Sequence, residues 1–322
     1  MVPALLRSEP PGPPAVLGPE DLLAAFLGSL CARTRQAYDG DLRDFARHLG
    51  APNPQAAIGY LLGGGPGPAN LAALEYRTAM TTRGLAPKTI ARRLAALRSV
   101  VKLARTLGRV TWCLEVSAPQ TEAYRDTSGP GSGGWRRMLH WIRDRAVGGA
   151  RKPVRDHAIV RLLHDLALRR GEVVGLDLAD VDFEGQVPAA VWILGKGRAE
   201  RERLTLAPLT AEALAVWLHL RGAAPGPLFG PLDRLHRQPC ERLTGHSVAR
   251  IVHGIARDCG LSRPVAPHAL RHQSITEALD RTGGDLRRVQ RFSRHKDIKT
   301  LMIYDDHRRD EAGDVSRLVA DE

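Results

Sequence analysis

The chain has 322 residues, 43% of them hydrophobic, enough for one large domain or, more naturally, two ordinary ones with separate cores. No run of 18 or more apolar residues occurs, so nothing reads as a membrane span. Cys31, Cys113, Cys240 and Cys259 lack any CxxC spacing, which excludes a disulfide scaffold and fits a reducing compartment. A formal charge of +12 suits a polyanionic partner, although a chain this rich in Arg, Ala, Gly and Pro would carry some of that charge from composition alone.

Residues 1–19 are rich in proline and lack the basic-then-apolar order of a secretion signal, so they read as a disordered arm. From residue 20 an apolar pattern of helical period runs through Leu22, Leu23, Phe26, Leu27 and Leu30, breaks near Cys31 to Arg35, and resumes with Tyr38, Leu42, Phe45 and Leu49. A short apolar piece over 56–62 ends in Gly63-Gly64-Gly65-Pro66-Gly67-Pro68, and Asn70 is the expected N-cap of a helix closed by Gly84. A strongly patterned helix follows Pro87, with Ile90, Leu94, Leu97, Val100, Val101 and Ala104 turned inward. Its Lys88, Arg92, Arg93, Arg98 and Lys102 are expected on the outer face, open to solvent or to a phosphate backbone. Residues 20–108 thus read as an all-helical domain, and the glycine-rich 109–134 as a linker.

The second domain is expected over 135–322. Helices are read near 135–147 and 155–168, and Arg169-Arg170-Gly171-Glu172 leads into a third. A small antiparallel sheet follows, with strands over 181–183, 190–194 and 203–206 and a hairpin tip at Gly195-Lys196-Gly197-Arg198. Lys196 between glycines is not a P-loop lysine, since the long glycine-rich loop and the following Ser or Thr are missing. Helices over 208–221 and 245–259 precede Pro267-His268-Ala269-Leu270-Arg271-His272, where His268 and Arg271 share one helical face. Beyond them come a run of basic residues, His295 and Tyr304.

Arg169, Lys196, His268, Arg271, His295 and Tyr304 form a chemically consistent set. Guanidinium forks match the oxygens of a phosphate. A tyrosine hydroxyl, with a free pKa near 10, needs neighbouring cations or a base to act as a nucleophile. Lysine on a hairpin tip can protonate a leaving oxygen. This chemistry calls for no metal and no other cofactor. His268 and His272 lie one turn apart, but an arginine stands between them and no third zinc ligand is in view.

With these residues the chain resembles the phage-integrase family of tyrosine recombinases, from about Glu20 to about Arg309. The family's Gly-Leu-Arg-x-x-Glu-Leu-x-x-Leu stretch is matched by 167–176, its hairpin lysine by Lys196, its His-x-x-Arg box by 268–271, its Leu-Gly-His segment by 293–295, and its nucleophile by Tyr304. Two positions depart from the pattern: Ala167 and Arg294 stand where the family has glycine. Arg294 is expected to alter helix packing, to add a phosphate contact or to lower turnover.

The resemblance implies a mainly α fold with a small antiparallel β-sheet. A helical, SAM-like core-binding domain and a mixed α/β catalytic domain would form a C-shaped clamp on double-stranded DNA. It implies catalytic roles for Arg169, Lys196, His268, Arg271, His295 and Tyr304, with Glu172 as the supporting acid, and a 3′-phosphotyrosyl intermediate that needs no ATP. It further implies inverted-repeat core sites, a homotetramer on two duplexes, a cytoplasmic, nucleoid-associated protein and no membrane. The apolar strip Val315, Leu318 and Val319 is expected to dock on a neighbouring protomer. Three readings compete: a type IB topoisomerase-like enzyme, a catalytically weak DNA-binding accessory protein of the same fold, and a metal-dependent hydrolase.

Overall fold

The computed structural model of the protein describes residues 19–119, 129–195, 200–232, 241–299, 301–302, 316–317 and 319–320. The chain divides into two compact units, Met1–Arg125 and Asp126–Glu322. Among the described residues, no helix is long and apolar enough to cross a membrane.

The described elements of the first unit are all helices: α1 (Pro19–Gly28), α2 (Ala32–His48), α3 (Pro54–Gly63), α4 (Pro66–Thr82) and α5 (Pro87–Thr106). Proline stands in the first turn of α3, α4 and α5, where its fixed φ suits the helix and its missing N–H costs nothing. That is why α4 begins at Pro66, inside a stretch that reads as a pure break. Asn70 does not cap it. Its Nδ2 donates to the Pro66 carbonyl at 2.9 Å, and its Oδ1 accepts the Glu115 N–H at 2.8 Å. The core joins Leu22, Phe26, Leu42, Phe45, Ile58, Tyr76, Met80, Leu94 and Leu97, and it also takes in Val110 and Leu114. The chain after α5 is therefore part of this unit as far as its described end.

The second unit comprises α6 (Gly131–Val147), α7 (Arg151–Asp165), α8 (Arg170–Gly175), β1 (Val181–Glu184), β2 (Val187–Leu194), β3 (Arg201–Thr205), α9 (Pro208–Arg221), α10 (Gly245–Asp258), α11 (Pro267–Arg281) and α12 (Leu286–Ser293). Helix α7 is its axis. Val154, Ala158, Ile159, Val160, Leu162 and Leu163 are all buried, and so are Arg155, Asp156, Arg161 and His164, so other elements pack on nearly every side of this helix. The sheet runs β1-β2-β3, antiparallel throughout, with a bulge between Asp182 and Phe183. Strands β2 and β3 are in register up to Leu194 opposite Arg201. Arg201 pairs with the buried Asp180, and Arg203 with Asp182 at 2.7 Å, which fixes the base of the hairpin.

The described part of the glycine-rich stretch is not a loose linker. A Cβ at Gly129 would lie 2.5 Å from the Cβ of Gln273 and 2.9 Å from the Ala269 carbonyl, and Gly131 to Gly134 already belong to α6. Glycine serves close packing against α11 here.

Beside the main core, Ala167, Ile275, Leu279, Val289 and Leu301 form a small separate cluster. It joins the loop after α7 to α11, α12 and the residues just beyond α12. The polar groups described next stand on this platform.

Candidate active site

Three segments distant in sequence meet here. Helix α7 ends at Asp165, and the chain turns through Leu166, Ala167 and Leu168 to Arg169, the N-cap of α8. Glu172, at the third position of α8, accepts the Arg169 backbone N–H at 2.8 Å, as in a capping box, and with its other oxygen accepts Arg169 Nη1 at 2.8 Å. The carboxylate thus sets both the helix start and the direction of the guanidinium, whose side chain remains 33% exposed. Burial alone would raise the Glu172 pKa. The Arg169 N–H, the Arg294 charge and the Arg169 side chain outweigh it and hold the carboxyl below its usual range.

Arg271, one turn into α11, is 1% exposed. Its Nη1 donates to the Ala167 carbonyl and its Nη2 to the Ser293 carbonyl, so one guanidinium ties the loop after α7 to the end of α12. Nη2 also lies 3.3 Å from His295 Nε2. A guanidinium can only donate, so Nε2 accepts and the His295 ring proton sits on Nδ1, 3.2 Å from Ser293 Oγ. Ser293 Oγ donates on to the Gln290 carbonyl at 3.3 Å, and Gln290 Nε2 donates to the His295 carbonyl at 3.2 Å.

Both histidines are held neutral. Burial, then the charges of Arg271 and Arg169, pull His295 down to about 4, with smaller contributions from His268 and Arg294. His268 is lowered by burial, Arg271 and Arg169 in that order. Two imidazoles able to accept a proton therefore face a concentration of positive charge, which is what an incoming phosphate would need.

Arg294 corrects the expectation of a phosphate contact. Its side chain is 3% exposed, and its guanidinium is occupied by protein acceptors: the carbonyls of Leu166, Phe292 and Ala167, each at 3.0 Å, and Glu172 Oε2 at 3.2 Å. Its backbone is left-handed, φ 59°, and Ala167 has φ 45°; among the described residues these are the non-glycine positions with positive φ. They are the two places where the resemblance leads one to expect glycine. Each keeps the turn a glycine would make, at a steric cost of about 1–2 kcal/mol.

Of the expected site residues, Arg169, Glu172, His268, Arg271 and His295 are brought together. Lys196 and Tyr304 lie outside the described residues, as does nearly all of the chain beyond Met302. On α5, Lys88 and Lys102 are exposed and Arg98 is half-buried. Arg92 is half-exposed and pairs with Asp41 at 3.1 Å. Arg93 does not belong to an outer face: its side chain is 16% exposed and is bonded to Asp44, with Asp41 at 3.6 Å. Ser293, at the His295 ring, and Gln290, at the His295 carbonyl, carry no signal in the sequence beyond being polar residues near it.

A model of the phage integrase family matches residues 136–311. The chain is 41% identical over 294 residues to a tyrosine recombinase of Synechococcus elongatus, covering 89% of this chain and 88% of that one. It is 36% identical over 292 residues to a tyrosine recombinase of Synechocystis, covering 89% and 90%. Among solved structures, a lambda integrase tetramer bound to a Holliday junction superposes with a TM-score of 0.63 at 14% identity, over 88% of this chain and 76% of that one.

Proposed function

Because the chain belongs to the phage integrase family and is a tyrosine recombinase, a DNA strand-breaking and rejoining enzyme, we propose the following division of labour in its site. Tyr304 Oη attacks the scissile phosphorus and becomes joined to the 3′ phosphate, while the bond to the 5′ oxygen breaks. Lys196 protonates that oxygen, and the tyrosyl proton passes to His268. Arg169, Arg271 and His295 bind the non-bridging oxygens, where charge builds in the transition state. The phosphotyrosyl bond retains the energy of the broken one, so attack by the 5′-hydroxyl of a second strand reverses the step without ATP.

The observation that carries this reading is the meeting of Arg169 and Arg271, from separate segments, with neutral His268 and His295 beside them. A phosphate would raise the histidine pKa values and let His295 donate.

The assembly follows from the reaction. Exchange between two duplexes requires four protomers, so the enzyme acts as a homotetramer at inverted-repeat core sites in the nucleoid, and the segment after Tyr304 docks on a neighbour. The solved tetramer on a Holliday junction supports this arrangement. Lys88, Arg98 and Lys102 add phosphate contacts from the first unit.

Nicked suicide duplexes carrying sites from the DNA beside the gene test the reading. A covalent adduct on a denaturing gel, absent with Tyr304→Phe, is the expected result. Adduct formation by Tyr304→Phe at the normal rate would remove Tyr304 as nucleophile, and specific binding without any adduct would favour an accessory protein.

A further inference from the structure

Arg294 occupies a position where glycine would adopt the same backbone without strain. What the arginine adds is all in its side chain. Nη2 shares the Ala167 carbonyl with Nη1 of Arg271, and it shares the Glu172 carboxylate with the backbone N–H and guanidinium of Arg169. Its own backbone carbonyl lies 3.5 Å from Arg169 Nη2. One buried side chain therefore touches the anchors of both site arginines.

Charge gives this geometry a purpose. Glu172 orients Arg169, but its negative charge also weakens the field that a bound phosphate would feel from Arg169 and Arg271. Arg294 sits behind Glu172, away from solvent, and cancels that charge while leaving the orientation intact. A neutral plug of the same size would fill the space and leave the carboxylate to draw on Arg169 alone.

We propose that Arg294 is a positioning residue of the recombination site, holding the acceptors of Arg169 and Arg271 and offsetting Glu172 so that both arginines act on the scissile phosphate at full charge. The proposal rests on the assignment of those arginines as phosphate binders.

The test uses the full chain, the nicked suicide duplex and three variants. Arg294→Met keeps bulk and backbone strain but loses charge and donors, Arg294→Lys keeps the charge, and Arg294→Met is repeated in a Glu172→Gln background. Arg294→Met is expected to slow single-turnover adduct formation by on the order of 10²-fold, with non-covalent duplex affinity changed by less than about threefold. Lysine should recover part of the rate, and the methionine substitution should cost much less where Glu172 is already neutral. A wild-type rate in Arg294→Met, or the same loss in both backgrounds, overturns the proposal.

A second readout needs neither cleavage nor DNA. In an NMR titration the His295 pKa should rise in Arg294→Met and stay put in Arg294→Lys. No rise in the methionine variant overturns the proposal even if the wild-type chain forms no adduct, a result that would count against the recombination reading itself. If Arg294→Met does not fold, as judged by its melting curve, the lysine variant decides. A partial loss of rate at unchanged His295 pKa supports the proposal, and an unchanged rate overturns it.

Discussion

Each unit of this molecule contains a cluster of arginines around buried carboxylates, and the two clusters are balanced differently. In the first unit, Asp41 and Asp44 are both 3% exposed and between them take Arg47, Arg83, Arg92 and Arg93, with Tyr76 Oη donating to Asp44 at 2.8 Å. In the second, Glu172 is hydrogen-bonded to Arg169 and Arg294, while Arg271 donates to the carbonyls of Ala167 and Ser293. The first sets four guanidiniums on two carboxylates; the second gathers three about one carboxylate, beside two imidazoles held neutral. Guanidinium and carboxylate occur in both, so the neutral histidines beside the second are what separate a phosphate site from a structural knot.

The comparison breaks most visibly if a site guanidinium is removed. Arg271→Ala, or Arg169→Ala, should lower the single-turnover cleavage rate by about 10²–10³-fold, the cost of losing one preorganised donor at a charge-building centre. Of the two, Arg271→Ala should also destabilise the fold, because it unties the loop after α7 from α12. Measuring rate and melting temperature together separates them.

In the first unit the corresponding change acts on stability. Asp44→Ala leaves the nearly buried Arg93 without its closest partner and should cost about 3–5 kcal/mol in chemical denaturation. The adduct rate at saturating DNA should stay near wild type. If cleavage fell as far as it does in Arg271→Ala while the fold held, the first cluster would belong to the site after all.

Acid should sharpen the contrast. His157 and His295, both lowered to about 4 chiefly by burial, and His268, also lowered, lie in the second unit. Each takes up its proton more readily unfolded than folded, so the stability it contributes is full above about 6.5 and falls as pH drops toward 4. In the first unit the acid-sensitive group is Asp44, held below 3.8 by Arg83, Tyr76 and Arg93 against the opposing effect of burial, and its contribution is lost only below the carboxylate range. Hydrogen exchange followed by mass spectrometry between pH 6.5 and 4.5 should show the second unit loosening first. Equal loosening of both would contradict this.

Much of this was legible in the sequence because it depends on spacing. The periods of α5 and α7, and His268 and Arg271 one turn apart on α11, follow from 3.6 residues per turn. Other features depend on what lies across the interior. Spacing says which face a residue is on but not whether a carboxylate waits opposite, so Arg93 and Arg294 read as outward cations. Strand β2 starts at Val187, earlier than its pattern suggests, because Pro188 sits beside the bulge, where a proline is tolerated. The glycines at 129–134 have the composition of a linker, and only the close approach of Gly129 to α11 and the place of Gly131 to Gly134 in α6 show otherwise.

The smallest effect concerns Ala167, the second departure from glycine. Its φ of 45° should cost about 1–2 kcal/mol relative to a relaxed backbone. Yet its methyl is fully buried in the cluster with Ile275, Leu279, Val289 and Leu301, worth about 0.8 kcal/mol, and glycine would add about 0.4–1 kcal/mol of unfolded-state entropy. These terms nearly cancel, so Ala167→Gly should change stability by less than about 1 kcal/mol. Ala167→Val gains no such offset: a β-branched residue is strongly disfavoured at positive φ. Its extra methyls also enter a closed platform, at about 1–3 kcal/mol for overpacking. Denaturation midpoints of the two variants check this, and a large stabilisation by glycine would show that the packing of the Ala167 methyl contributes little.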